Sequence, residues 1–503
     1  MVALSTESGF GAPPASAAQR RRPLAVCHAG CRWNCRLVLV VVCLWACCVI
    51  PTLAYAQAKP KPKGDANSST KSGAKAVDRK PRARAGKSDG RGGARAAGLD
   101  ANGMGLFTSS HFELHTDMTR EEAADLLERL EKMLGLISKY WGKPAVGVID
   151  MYVVKDLSKW PAGSLNPEGL AHIEAGAGVT LGKTMTRGDE FISKATVYAV
   201  ADRGTPQHEA VHAYCVHAFG RLGPVWYAEG MAEMGQYWRG DDRAVHAHRG
   251  VCDYLRRAPP MSLNEIVNGA QKTGDSWQNY AWRWALCHLL ANNPNYSPRF
   301  RPLGGSILSG QKTSFESVYG AMSEEIIFEY LLFLSHLEEG FRVDLCAWDW
   351  KSKFKAISES ATVKVRVDAG RGWQASKVIV SEGKSYDYET EGEWTLEKDG
   401  EPVSAKGGVG GRGRLEGVLL FQEDKGYRLG QPFPLGDTGT YVAAESGRLF
   451  LRCRDDWARI DDNKGAVTVR LKLADGKEGL PTGSKTDSVV EADRSPPKPA
   501  LDQ

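Results

Sequence analysis

The stretch from residue 204 to 238, GTPQHEAVHAYCVHAFGRLGPVWYAEGMAEMGQYW, constrains this chain more than any other, because it sets metal-ligating side chains at helical spacing. His208 and His212 are four residues apart, so on a helix they lie about 40° apart on one face and can turn both imidazoles toward one ion. Glu209 falls between them. One step around the helix puts its carboxylate beside such an ion, where a general base for an activated water belongs. Two imidazoles do not hold catalytic zinc alone; a third protein ligand is needed, with the fourth position left to water. Glu229 is the best candidate, seventeen positions after His212 and beyond the Gly223-Pro224 break that ends the first helix and lets a second return across it. Glu233, one turn further on, can accept the distal N–H of a ligand histidine and fix its tautomer.

Other residues compete for roles less strongly. Tyr280, in WQNYAWRWAL, and Tyr227, two positions before Glu229, are candidate donors to the oxyanion of a tetrahedral intermediate; the alternative for both is a core aromatic. His217, His246 and His248 read as surface or core histidines. Past the leader described below, the chain keeps Cys215, Cys252, Cys287, Cys346 and Cys453, an odd number at irregular spacing that is not a disulfide framework.

HEAVH followed by WYAEGMAE resembles the gluzincin clan of zinc metallopeptidases, whose second helix carries the third ligand in a Glu-Gly-x-Ala setting like that of aminopeptidases. The wider stretch, from about residue 106 to 340, resembles the peptidase-MA-like domain family of exported bacterial proteins. The resemblance implies His208, His212 and Glu229 as zinc ligands, Glu209 as base, and a peptide or protein substrate. The gap to Glu229 is slightly shorter than in aminopeptidases, so their substrates do not carry over.

The formal net charge of +5 belongs to one end. Residues 1–98 hold seventeen Lys and Arg against four Asp and Glu, leaving residues 99–503 with 48 basic and 56 acidic side chains. The basic run lacks interleaved aromatics and any recognisable binding fold, so nothing argues for a nucleic-acid-binding domain and no nucleic acid is expected as a partner. Residues 1–56 read as an export leader. Arg20 to Arg22, Arg32 and Arg36 precede the apolar run Leu37 to Ile50, and Ala54-Tyr55-Ala56 supplies a cleavage site. Counted through residues 37–56, the run also approaches the ~20 residues of a membrane anchor. Either way the bulk of the chain is expected outside the cytoplasm, as a periplasmic, cell-envelope or secreted protein. Residues 57–103 are rich in Lys, Arg, Ala, Gly, Ser and Pro, cannot bury a core, and read as a basic linker.

From 104 to 352 the pattern predicts an α+β zincin-like domain with a mixed sheet. A strand starts at Leu106, a capping box at Thr119 opens a helix through Tyr140, and a second strand runs from Val146 to Val154. Residues 157–190 read as loop-rich, and a short strand from Thr196 to Ala201 leads into the metal helix. An edge strand bordering the cleft is expected to pair with an extended peptide. Helices are predicted near Trp277–Leu290, Ser297–Leu308 and Ser323–Leu337. From 360 to 473, short alternating strands broken by Gly (VKVRVDA, KVIVSEG, GVLLF, TYVAA, RLFLRC, AVTVRLKL) predict an all-β sandwich as a further domain. The remainder, 474–503, is polar and Pro-rich and reads as a disordered tail.

Over that sandwich, Val367-Asp-Ala, Trp373-Gln, Trp394, Pro432-Phe-Pro, Tyr441 and RCRDDWARIDDNKGAVTVRL run in an order that resembles the calcium-dependent galactose-binding bacterial lectin of the PA-IL type. The resemblance implies Asp455, Asp462 and Asn463 as oxygen ligands of Ca2+, which would in turn hold carbohydrate. Trp457 and Arg459 depart from that pattern. The leading expectation is an exported zinc metallopeptidase; the alternative is a non-catalytic cell-envelope binding protein on the same scaffold.

Overall fold

A computed structural model describes residues 95–187, 190–269 and 274–474. The expected leader, the expected linker as far as residue 94, and the tail from 475 lie outside the described residues; residues 95–103 of that linker instead form a strand, Arg95–Leu99, paired with Gly105–Thr108, and the turn that joins them. No helix among the described residues is long and apolar enough to cross a membrane.

The first half is a six-stranded mixed sheet carrying a layer of helices. Its strands are β1 (Arg95–Leu99), β2 (Gly105–Thr108), β3 (Phe112–Thr116), β4 (Ile149–Val154), β5 (Gly178–Arg187) and β6 (Glu190–Val200), ordered β1-β2-β3-β4-β6-β5. β3, β4 and β6 run parallel; the other pairs are antiparallel. Between β3 and β4 lies α1 (Arg120–Trp141), opened by the predicted Thr119/Glu122 capping box and ended by Gly142 at φ 70°. Its Leu126, Leu127, Leu130, Met133 and Leu134 are buried.

Three departures from the sequence reading bear on function. The stretch from Leu106 is a hairpin of two strands rather than one. Residues 157–190 are not loop-rich: they hold α2 (Pro167–Glu174) and β5. GVTLGKTMTR has few large apolar residues because β5 sits at the sheet edge, paired on one side only. β6 accordingly extends six residues earlier than the predicted Thr196 start.

The helices that follow are α3 (Thr205–Phe219), α4 (Val225–Gln236), α5 (Arg249–Arg257), α6 (Leu263–Asn268), α7 (Trp277–Asn292), α8 (Ser297–Leu308), α9 (Phe315–Tyr319) and α10 (Ser323–Ser335). α3 and α4 are buried on nearly every side, which is why neither shows an amphipathic stripe. α4 crosses α7 at a close approach through Gly230, where a Cβ would lie 2.4 Å from Cys287 Sγ.

The second half packs two sheets face to face. One is ordered β14-β10-β16-β8, from β8 (Thr362–Asp368), β10 (Ser385–Thr395), β14 (Thr438–Val442) and β16 (Lys464–Leu473). The other is ordered β12-β11-β15-β9-β7, from β7 (Lys355–Ala356), β9 (Gln374–Val380), β11 (Leu415–Gln422), β12 (Tyr427–Leu429) and β15 (Gly447–Cys453), with β13 (Phe433–Pro434) on β11. Alternation along β16 turns Val467, Val469 and Leu471 into the core between the sheets. β11 does not alternate, because both its faces are covered. Leu415 and Leu419 face the sandwich core, whereas Val418 and Leu420 pack with Phe328 of α10 and with Trp348 and Phe450.

Glu329 pins this junction. Its buried carboxylate accepts Asn293 Nδ2 (2.6 Å), Asn295 Nδ2 (3.0 Å), Tyr296 Oη (2.6 Å), the Trp348 backbone N–H (3.0 Å) and Trp350 Nε1 (2.7 Å). Five donors on one carboxylate tie the α7–α8 connection at 293–296, α10 and the 348–350 segment together.

Candidate metal centre

The centre is built where α3 and α4 meet beneath the edge strand. Asp202 accepts the backbone N–H groups of Gly204 and Thr205 and starts α3; Gly220, in the left-handed region at φ 67°, ends it. Gly223 at φ 88° and Pro224 then turn the chain into α4. The result brings together His208, His212 and Glu229, all buried. Nε2 of His208 and Nε2 of His212 lie 3.2 Å apart, and Glu229 Oε2 is 3.4 Å from the first and 3.3 Å from the second.

That near-equilateral triangle fits a tetrahedral ion. Bonds of ~2.0–2.1 Å at tetrahedral angles separate neighbouring ligands by ~3.3–3.4 Å. The second Glu229 oxygen, Oε1, is buried and has no hydrogen-bond partner, as expected of a carboxylate made for a cation. Imidazole and carboxylate donors suit zinc among several divalent ions.

Electrostatics point the same way. Burial penalises charge on His208, yet Glu229 and Glu233 outweigh it and hold the imidazole well above its ordinary pKa. Glu229 is likewise opposed by burial, but its contacts with His208 and His212 hold it well below the usual carboxylate range. The acidic residues here thus demand a positive charge. Glu233 Oε1 sits 3.1 Å from His208 Nδ1, within ion-pair reach though without the alignment of a full hydrogen bond.

Glu209 is buried beside the triangle, outside it. Thr180 Oγ1 of β5 donates to its Oε2 at 2.7 Å and to its backbone carbonyl at 3.0 Å. Opposite, Gly178 leaves room for it: a Cβ there would meet Glu209 Cγ at 2.8 Å and Oε1 at 3.1 Å. Thr180 and Gly178 were invisible in a stretch read as loop. Only the strand, which places residues 178 and 180 on one face, gives them a shared neighbour.

The two tyrosines part company. Tyr280 lies with its ring 6.0 Å from that of His208, and its hydroxyl accepts the Gly274 backbone N–H at 2.7 Å. Tyr227 is core: its hydroxyl takes the Trp141 indole N–H at 2.9 Å, and its ring packs on Trp226 and Phe300. This removes Tyr227 as an oxyanion donor, because a residue two before Glu229 faces the opposite side of α4. The five cysteines among the described residues are all buried free thiols.

A second cluster, Glu113, His115 and Asp150, already has internal partners: His115 Nδ1 meets Asp100 at 2.8 Å and Asp150 meets Lys194 at 2.6 Å. The acidic turn of the sandwich is occupied in the same way. Asp455 is buried with Oδ1 2.7 Å from Arg412 Nε and Oδ2 3.2 Å from Nη2. Asp462 is exposed and also acts on Arg412, while Asn463 is buried with Nδ2 donating to Ala369 O at 3.4 Å. Arg412 thus occupies Asp455, one of the three expected Ca2+ ligands, while Asn463 Oδ1 is buried without a partner among the described residues.

No protein-family model matches the chain, and no curated protein does. Among solved structures, one similar chain is described as "EclA N-terminal domain; PllA-like lectin", at 16% identity and a TM-score of 0.18, with 22% of this chain and 95% of that one covered. Another is a functionally unknown conserved protein from Bacillus anthracis, at 12% identity and a TM-score of 0.14, covering 22% of this chain and 21% of that one.

Proposed function

We propose that this protein is an exported zinc-dependent peptidase. The observation that carries the reading is the His208–His212–Glu229 triangle, with a carboxylate, Glu209, held next to it and not in it. Structural zinc sites close all four positions with protein ligands, commonly cysteine; three ligands and an adjacent carboxylate leave a position for chemistry.

Zinc bound by these three residues would supply a Lewis acid that polarises the scissile carbonyl and acidifies a water. The chain's own residues do the rest. Thr180 holds Glu209 Oε2, which leaves Oε1 to take the proton from the attacking water and return it to the departing amine. Glu233 orients the His208 ring through Nδ1. Tyr280, beside His208, is the remaining candidate donor to the developing oxyanion. β5 is an unpaired edge against α3, so an extended peptide laid along it would pass Glu209.

The test is a mass-spectrometric peptide-library digest by the wild-type chain and by Glu209→Gln, with metal content measured for both. Cleavage by the wild type alone, at equal metal content, is expected. Equal cleavage by both sinks the mechanism; cleavage by neither, with metal bound, favours a non-catalytic binding protein on this scaffold.

A further inference from the structure

A cavity of about 380 Å³ opens in the sandwich half, between the glycine-rich loop at 407–413 and the segment that follows β15. Gly410, Arg412, Arg452, Arg454, Asp455, Asp456, Trp457 and Arg459 line it, a volume within the ~300–1,000 Å³ range of small-molecule sites. Four of these eight residues are arginines, against two carboxylates. Asp455 is held by Arg412, and Asp456 Oδ1 accepts the Ala458 backbone N–H at 3.1 Å.

Behind the wall the acceptors run short. Glu416 alone faces three guanidiniums, those of Arg452 at 3.1 Å, Arg454 at 3.5 Å and Arg414 at 4.0 Å. Arg452 is 8% exposed, and its Nη1 has no acceptor among the described residues; Arg414 Nε has none either. Nor is Arg452 free to swing outward for one. Its guanidinium lies 4.2 Å from the Trp457 ring and 5.0 Å from that of Trp373. The acceptor has to come to it.

From this cavity, its four arginines and the unmet donor of Arg452, we propose a binding site for a small molecule carrying an oxyanion, either a carboxylate or a phosphate or sulfate group. Guanidinium forks match the paired oxygens of such groups, and a ligand of that charge relieves the shortage around Glu416. A neutral sugar does not satisfy it. Trp457 is already engaged, by the Arg452 guanidinium 4.2 Å from its ring and by the stacked His336 ring 4.5 Å away. The site is separate from the metal centre and independent of peptidase activity.

Isothermal titration of the full chain at low salt with inorganic phosphate, sulfate, glucuronate and galactose tests it. At least one oxyanion saturates a single site, galactose gives no heat, and Arg454→Gln weakens binding about tenfold or more, the loss expected for a charge-assisted contact. Tighter glucuronate identifies a sugar acid; tighter phosphate or sulfate identifies an ester or free ion. Arg459→Gln, at an exposed position, serves as the second variant should Arg454→Gln fail to fold. Saturation by none of the three oxyanions, or binding unchanged in a folded variant, overturns the proposal.

Discussion

Gly178→Ala isolates the placement of the base from the binding of the metal. The backbone at Gly178 is not in the left-handed region, so alanine is conformationally allowed there, and the effect is one of space. The added Cβ would meet Thr205 Cγ2 at 2.7 Å and Glu209 Cγ at 2.8 Å. Carbon atoms in contact sit ~3.5–4.0 Å apart, so the Glu209 side chain has to retreat by roughly 1 Å. A catalytic group misplaced by about 1 Å costs ~100-fold in rate, or about 2.7 kcal/mol of transition-state stabilisation. The three ligands are untouched, so zinc stoichiometry stays at the wild-type value. The assay pairs metal analysis and a thermal melt with initial rates on a peptide cleaved by the wild type. Full activity in a variant that melts normally would refute the placement of Glu209 against β5; lost metal would refute the separation of base from ligands.

Three further outcomes follow from buried polar groups. Glu233→Gln keeps the metal but binds it ~10–100-fold more weakly, as measured by competition with a chelator, because the His208 ring loses its carboxylate partner; unchanged affinity contradicts that role. His288 is buried against Phe333, and burial pushes its pKa down to about 4. Folding therefore favours the neutral ring, so stability is intact above pH ~6.5 and falls as the pH drops toward 4, by up to about 3 kcal/mol. Urea midpoints across that window should fall less in His288→Phe than in the wild type, and parallel curves would contradict this. Glu329→Ala removes the acceptor of five donors, three of them buried at a cost of ~1–3 kcal/mol each, non-additively, and should destabilise by at least about 3 kcal/mol in denaturant titration; a loss below 1 kcal/mol would mean that water replaces the carboxylate.

The His208–His212–Glu229 cluster is legible because helical spacing is written directly in the sequence: His212 four positions after His208, and a Gly-Pro break before Glu229. The helix at Thr119 was legible for the same reason, its cap and its stripe both being local. What escaped the sequence depends on neighbours. β5 carries little apolar signal because it is an edge, so Thr180 and Gly178 gave no sign of framing Glu209. The lectin resemblance implies calcium at 455–463 but gives no sign of Arg412, which reaches Asp455 from 43 residues away, a distance at which no spacing rule operates. For Tyr227 the sequence favours a core aromatic over an oxyanion donor, and the contact that fixes it in the core, the Trp141 indole N–H on its hydroxyl, comes from 86 residues away.

Zinc-edge X-ray absorption on the purified chain, with stoichiometry by mass spectrometry, tests the centre most directly. One zinc per chain is expected, with two imidazole nitrogens and two oxygens at ~2.0–2.1 Å, one oxygen from Glu229 and one from water, and with loss of that ion in Glu229→Ala. A sulfur shell near ~2.3 Å, or a chain that copurifies with no metal and takes up none on addition of zinc, would contradict it.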